Sequence, residues 1–196
     1  MGIYNVILCI GDSLTFGARD EYKRGYPVEL SKMLKDSCDN KQHWICINEG
    51  ISGERSAEIL RRTPKIMYTY GKEAYVAIIE AGTNDTLDKI PLDIYRDNMF
   101  QLIKTVQSLN PVNCGRKVIL GSLIALDGVG LMSYSANEGH KLLLEYNKVL
   151  KDLAKELNIP FVDLTSLAKY RNDKCHLTNE GYQKMAQLYF EEIIKL

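Results

Sequence analysis

Short apolar runs and segments with helical period alternate five times along this chain, and that alternation restricts the fold more than any other feature. The runs are Ile3 to Ile10, Trp44 to Asn48, Tyr75 to Ala81, Lys117 to Leu123 and Ile159 to Leu164. Each is rich in β-branched or bulky apolar residues, as strands covered on both faces are. Between them, Tyr95, Met99, Leu102, Ile103, Val106 and Leu109 recur at helical spacing up to Asn110-Pro111, where a helix stops. Leu142, Tyr146, Val149, Leu150, Leu153 and Leu157 form a second set, and Tyr182, Met185, Tyr189 and Ile193 a third that starts near Asn179. Shorter helices are expected at Pro27 to Leu34 and Ala57 to Arg62. Alternation of this kind implies parallel strands joined by right-handed crossovers, with helices on both faces. The expectation is an α/β protein, one three-layer α/β/α domain over residues 1–196.

In open parallel sheets, ligands bind beyond the carboxyl ends of the strands. The loops there are informative. Gly11-Asp12-Ser13-Leu14 follows the first strand and Asn48-Glu49-Gly50-Ile51-Ser52-Gly53 the second. Gly82-Thr83-Asn84-Asp85 follows the third, and Asp173-Lys174-Cys175-His176-Leu177-Thr178 comes after the fifth. Four loops thus bring small, polar or ionisable residues to one edge of the sheet.

These residue types suit acyl transfer. A serine hydroxyl is a weak nucleophile unless a base takes its proton. Of His43, His140 and His176, only His176 lies at a strand-end loop with a carboxylate three residues earlier, Asp173. That spacing lets Asp173 accept from one ring nitrogen while the other faces Ser13. Asp163, at the end of the last strand, is the rival acid. An oxyanion then needs donors, and Ser13 N–H, Gly53 N–H and the Asn84 side-chain amide are the candidates. Glycine suits the second position because no Cβ blocks a close approach. Asp12 and Asp85 are expected to hold their own turns. Cys175 reads as a small buried hydrophobe rather than a thiol nucleophile.

The four blocks, GDSL at Ser13, N-x-G-x-S-G ending at Gly53, G-T-N-D around Asn84 and D-x-x-H ending at His176, occur in the order of the GDSL or SGNH hydrolases. The chain resembles that family from end to end, with Thr15-Phe16-Gly17 and His176-Leu177-Thr178 fitting as well. The resemblance implies a flavodoxin-like five-stranded parallel sheet ordered 2-1-3-4-5. It also implies hydrolysis of carboxylic esters or thioesters without metal or organic cofactor. By that match Ser13, Asp173 and His176 form a catalytic triad, and Ser13, Gly53 and Asn84 an oxyanion hole. Two departures stand out. Cys175 replaces the apolar residue often found before the histidine, and the fourth strand ends in Leu120-Gly121-Ser122-Leu123 without the usual prolines.

Other classes fit less well. A phosphate-binding loop needs G-x-x-x-x-G-K-[ST], and no lysine follows Gly17. No G-x-S-x-G elbow occurs. A formal net charge of zero and the lack of a long basic run argue against nucleic acid as a partner. The apolar runs are far short of the ~20 residues that span a bilayer, and no signal peptide is visible, so the expected location is cytoplasmic. The five cysteines show no C-x-x-C pair and are expected to be reduced. The expected partner is a small-molecule ester. Leu126, Leu131, Met132 and Tyr134, in the long loop from Ile124 to His140, are the candidates to wall its acyl or leaving group. The absence of a long apolar cap favours short acyl groups such as acetyl. A lysophospholipase or acyl thioesterase with the same site, and a non-catalytic carbohydrate- or lipid-binding module, are the alternatives.

Overall fold

The computed structural model describes residues 3–22, 24–37, 42–108, 117–124, 136–173 and 175–196. Five strands form one parallel sheet: β1 (Ile3–Gly11), β2 (Gln42–Gly50), β3 (Ala74–Glu80), β4 (Lys117–Gly121) and β5 (Phe161–Val162). Their order is β2-β1-β3-β4-β5, as the resemblance implied. The helices are α1 (Ser13–Phe16), α2 (Gly25–Ser37), α3 (Ser56–Tyr70), α4 (Thr83–Leu87), α5 (Leu92–Ser108), α6 (Ala136–Glu156) and α7 (Asn179–Ile193). A 3-10 helix covers Thr165–Tyr170.

Alternation along the central strands builds two cores. Leu8, Ile10, Ala77 and Ile79 face Ile59 of α3, Met99 and Leu102 of α5 and Tyr146 of α6. Ile7, Cys9, Val76 and Ile78 face Tyr26 and Leu30 of α2 and Met185 and Tyr189 of α7. Burial on both faces accounts for the unbroken apolar character of β1 and β3.

Several boundaries differ from the sequence reading. α3 continues through Pro64 to Tyr70, because Ile59, Thr63, Ile66 and Met67 bury on both sides of the proline. Their packing outweighs the one helical hydrogen bond that proline removes. α6 starts at Ala136, so the last five residues of the loop expected over 124–140 are helix, and His140 is an exposed residue in its first turns. β5 keeps only two of the six expected residues. Ile159 N–H closes the preceding helix on the Ala154 carbonyl, and Leu164 already caps the 3-10 helix. β2 begins at Gln42, before the expected Trp44, and takes in the exposed His43. Among the described residues no helix is long and apolar enough to cross a membrane.

Candidate active site

β1 delivers Ser13 to the carboxyl edge of the sheet. The chain leaves the strand at Gly11, and Asp12 caps the single turn of α1 by accepting the Leu14 N–H at 3.0 Å. Ser13 opens that turn and is buried to 6% exposure. Gly17 ends it with φ +89°, where an added Cβ would lie 2.4 Å from the backbone nitrogen of Gly25. That close approach, with the positive φ, is why glycine stands there.

The loop before α7 supplies the partners. An antiparallel bridge joins Arg171 to Leu177, and Asn172 N–H donates to the His176 carbonyl at 2.8 Å. Asp173 and His176 are thereby held on one tight loop. Asp173 Oδ1 accepts the N–H groups of Cys175 and His176 at 2.8 and 2.7 Å. His176 Nδ1 lies 2.9 Å from Asp173 Oδ2, and His176 Nε2 lies 3.1 Å from Ser13 Oγ. With Nδ1–H donating to the carboxylate, Nε2 carries the lone pair that faces the serine hydroxyl. Partial burial by itself would raise the Asp173 carboxyl. The hydrogen bond from His176 and the two backbone donors outweigh it and hold the group well below the usual carboxylate range. Asp163 stays apart, exposed and accepting from Thr165 N–H and Oγ. The acid brought to His176 is Asp173.

Gly53 sits in the turn closed by Glu54 N–H on the Ile51 carbonyl, with φ +86°. A Cβ added there would meet no atom within 4 Å, so the left-handed backbone, not crowding, calls for glycine. Asn84 Nδ2 donates one hydrogen to the Glu54 carbonyl at 2.8 Å, which leaves its second hydrogen for another acceptor. Asp85 does more than hold its own turn. It is buried and accepts from the backbone N–H of Ser56 at 2.8 Å and from the Ser56 hydroxyl, fixing the start of α3 against the Asn84 segment. Burial raises its carboxyl against those bonds.

Two residues in the site's frame escaped the sequence reading. Arg62 of α3 donates to the carbonyls of Gly11 and Glu49 at 3.1 and 2.7 Å and to Glu54 Oε2 at 2.6 Å. It ties the end of β1 to the end of β2 and to the Gly53 turn. Glu80, the last residue of β3, is fully buried. A lone arginine in a helix and an acid at a strand end both look like surface residues, so only their three-dimensional neighbours reveal them. Cys175 is half-buried rather than buried. Leu126, Leu131, Met132 and Tyr134 lie outside the described residues. Among the described residues no group of three or more His, Cys, Asp or Glu side chains could hold a metal ion.

A family model matches residues 9–184, a span that takes in all four sequence blocks. The chain belongs to the GDSL-like lipase/acylhydrolase family. Membership makes it a carboxylic ester hydrolase. Solved GDSL-type folds match it closely in shape. An acetylxylan esterase from Geobacillus stearothermophilus is 20% identical with a TM-score of 0.76, covering 98% of this chain and 96% of its own. An aryl esterase from M. smegmatis is 22% identical with a TM-score of 0.78, covering 98% and 99%. A carbohydrate acetylesterase family member from Sinorhizobium meliloti is 21% identical with a TM-score of 0.77, covering 96% and 97%. At these identities the likeness concerns the fold. No curated protein matches the chain at a significant level.

Proposed function

We propose that this GDSL hydrolase is a serine esterase acting on short-acyl carboxylic esters, acetyl esters above all, through an acyl-enzyme on Ser13. The observation that carries the reading is the continuous chain from Ser13 Oγ to His176 at 3.1 Å and on to Asp173 at 2.9 Å. The substrate carbonyl oxygen sits among Ser13 N–H, Gly53 N–H and the free Asn84 hydrogen. Ser13 Oγ attacks the carbonyl carbon as His176 Nε2 takes its proton, and Asp173 stabilises the resulting imidazolium. The tetrahedral intermediate collapses, and His176 passes its proton to the departing alkoxide. Water then enters and its oxygen attacks the acyl carbon as His176 Nε2 takes a proton, and the C–Oγ bond breaks as His176 returns that proton to Ser13 Oγ, releasing the acid.

The acetyl preference is supported by the acetylxylan esterase and the carbohydrate acetylesterase relative among the similar folds. Serine-to-alanine and histidine-to-alanine forms of the former are described as catalytic mutants, which supports the corresponding roles here.

The test is a p-nitrophenyl ester series from acetate to palmitate, run with wild type and Ser13→Ala. The expected result is serine-dependent hydrolysis, fastest on acetate and falling with chain length. Ser13→Ala should lose about 10⁴-fold or more in kcat. A serine-dependent preference for long chains would favour a lysophospholipase, and full activity in Ser13→Ala would overturn the scheme.

A further inference from the structure

Beneath Ser13 lies a pair of acids that the reaction scheme does not use. Asp12 and Glu80 are both fully buried. Glu80 ends β3 in register with Gly11, the residue before Asp12, and the two buried carboxyls act on each other. Asp12 Oδ1 accepts the Leu14 N–H, but Asp12 Oδ2 and both oxygens of Glu80 meet no donor. Buried polar atoms are almost always partnered. Two ionised carboxylates facing each other cannot be, since both only accept and their charges repel. One proton between them supplies the missing donor, as an O–H of one acid bonded to an oxygen of the other.

The surroundings favour keeping that proton. Asp85 of α4 acts on Asp12, and the charge of the pair is felt in turn by Tyr26 of α2, Tyr95 of α5 and Tyr182 and Tyr189 of α7. None is cationic, and Asp85 adds negative charge. Arg62 of α3 reaches the Gly11 carbonyl next door, but its guanidinium is engaged by Glu49 and Glu54. His176, which can become positive, contacts neighbouring Ser13. Burial pushes the Asp12 carboxyl up to about 7, and burial together with the Asp12 charge pushes Glu80 well above the usual carboxylate range.

We propose that Asp12 and Glu80 share one proton and act as a positioning pair for Ser13, so that losing the proton at alkaline pH loosens the turn presenting the nucleophile. A second negative charge would then also sit under the oxyanion forming at Ser13 N–H, opposing it. The inference rests on the reading of Ser13 as nucleophile.

The test compares pH profiles of kcat/KM for wild type and Glu80→Gln, each scaled to its own maximum. Glutamine has the same shape, donates an N–H to Asp12 and has no proton to lose. The expected result is an alkaline fall in wild type that moves up by more than about one pH unit in Glu80→Gln, because the coupled loss is gone. A residue that merely packs would change the height of the profile and not that limb. An unmoved limb, or a wild-type profile with no alkaline fall, overturns the inference.

Should Glu80→Gln fail to fold, infrared spectra of the wild type in D₂O decide. A protonated carboxylic acid band present at neutral pH and lost along the same limb supports the pair, and its absence at neutral pH overturns it. Ser13→Ala in the same assay separates the two readings. If it stays active, the nucleophile reading falls and takes the inference with it. If it is inactive and the limb is unmoved, only the inference falls.

Discussion

Arg19 Nε stands 3.1 Å from Asp173 Oδ2, the same oxygen that faces His176 Nδ1 at 2.9 Å. The arginine competes with the imidazolium for one negative charge. Its side chain is 65% exposed, so water and salt screen the contact and its worth is at most about 0.2–1 kcal/mol. Arg19→Gln should therefore raise kcat/KM by no more than about fivefold at low ionic strength. The gain should vanish in high salt, where wild type and variant converge.

Asp173→Asn should lower kcat by about 10⁴ with little change in KM, because the amide can offer its own N–H to Nδ1 and favour the wrong tautomer. Single-turnover rates on an acetate ester would check this. A loss under tenfold would mean the imidazole is oriented by the loop alone.

Asn84→Ala and Gly53→Ala separate donation from backbone geometry. Removing the Asn84 amide should cost about 10²–10³ in kcat with the fold intact. Gly53→Ala retains the N–H but forces alanine into φ +86° with open space around its Cβ, so strain of about 1–2 kcal/mol is the expected penalty. Thermal unfolding alongside kcat should show a lower Tm in Gly53→Ala and an almost unchanged Tm in Asn84→Ala.

Ser56→Ala should destabilise by about 1–3 kcal/mol, since buried Asp85 loses one of its two Ser56 donors. Urea unfolding measures the loss. Activity should fall as well, through the neighbouring Asn84.

Stability should depend on pH with opposite signs in two windows. The Asp12–Glu80 pair binds protons more tightly folded than unfolded, so its contribution is complete below the ordinary carboxylate range. It is lost as pH rises from about 4 through about 7, where Asp12 is pushed, and on into the alkaline range as Glu80, raised well above the usual carboxylate range, lets go of its proton. Asp173 behaves in the reverse manner, with a folded carboxyl held low, and its contribution disappears as pH falls below about 4. Urea midpoints measured across both windows should flatten above about pH 4 in Glu80→Gln. They should flatten below it in Asp173→Asn.

Much of this was legible from residue order because the information is local. Asp173 and His176 are three residues apart on one loop, and Gly11-Asp12-Ser13 reads as a strand end opening a turn. The sheet order followed from the resemblance carried by those same blocks. What could not be read depends on distant neighbours. Glu80 meets Asp12 across 68 positions of sequence, and Asp85 meets Ser56 across 29. The helix expected at Ala57 to Arg62 was read too short because the burial that carries α3 past Pro64 comes from the sheet and α5. β5 was read too long because an edge strand with one partner yields early to the elements on either side of it.

The grip of Arg62 on the carbonyls of Gly11 and Glu49 and on the Glu54 carboxylate has a mechanical consequence. One side chain fastens the strand that carries the serine to the turn that carries Gly53, so thermal drift of one drags the other in the same direction. The spacing between Ser13 and the Gly53 turn is thus held at a corner that this guanidinium braces together with the Ile51 N–H on the Gly11 carbonyl. Removing the guanidinium would free the Gly53 turn to drift against the serine while the ladder that ends at Gly11 and Gly50 stays paired.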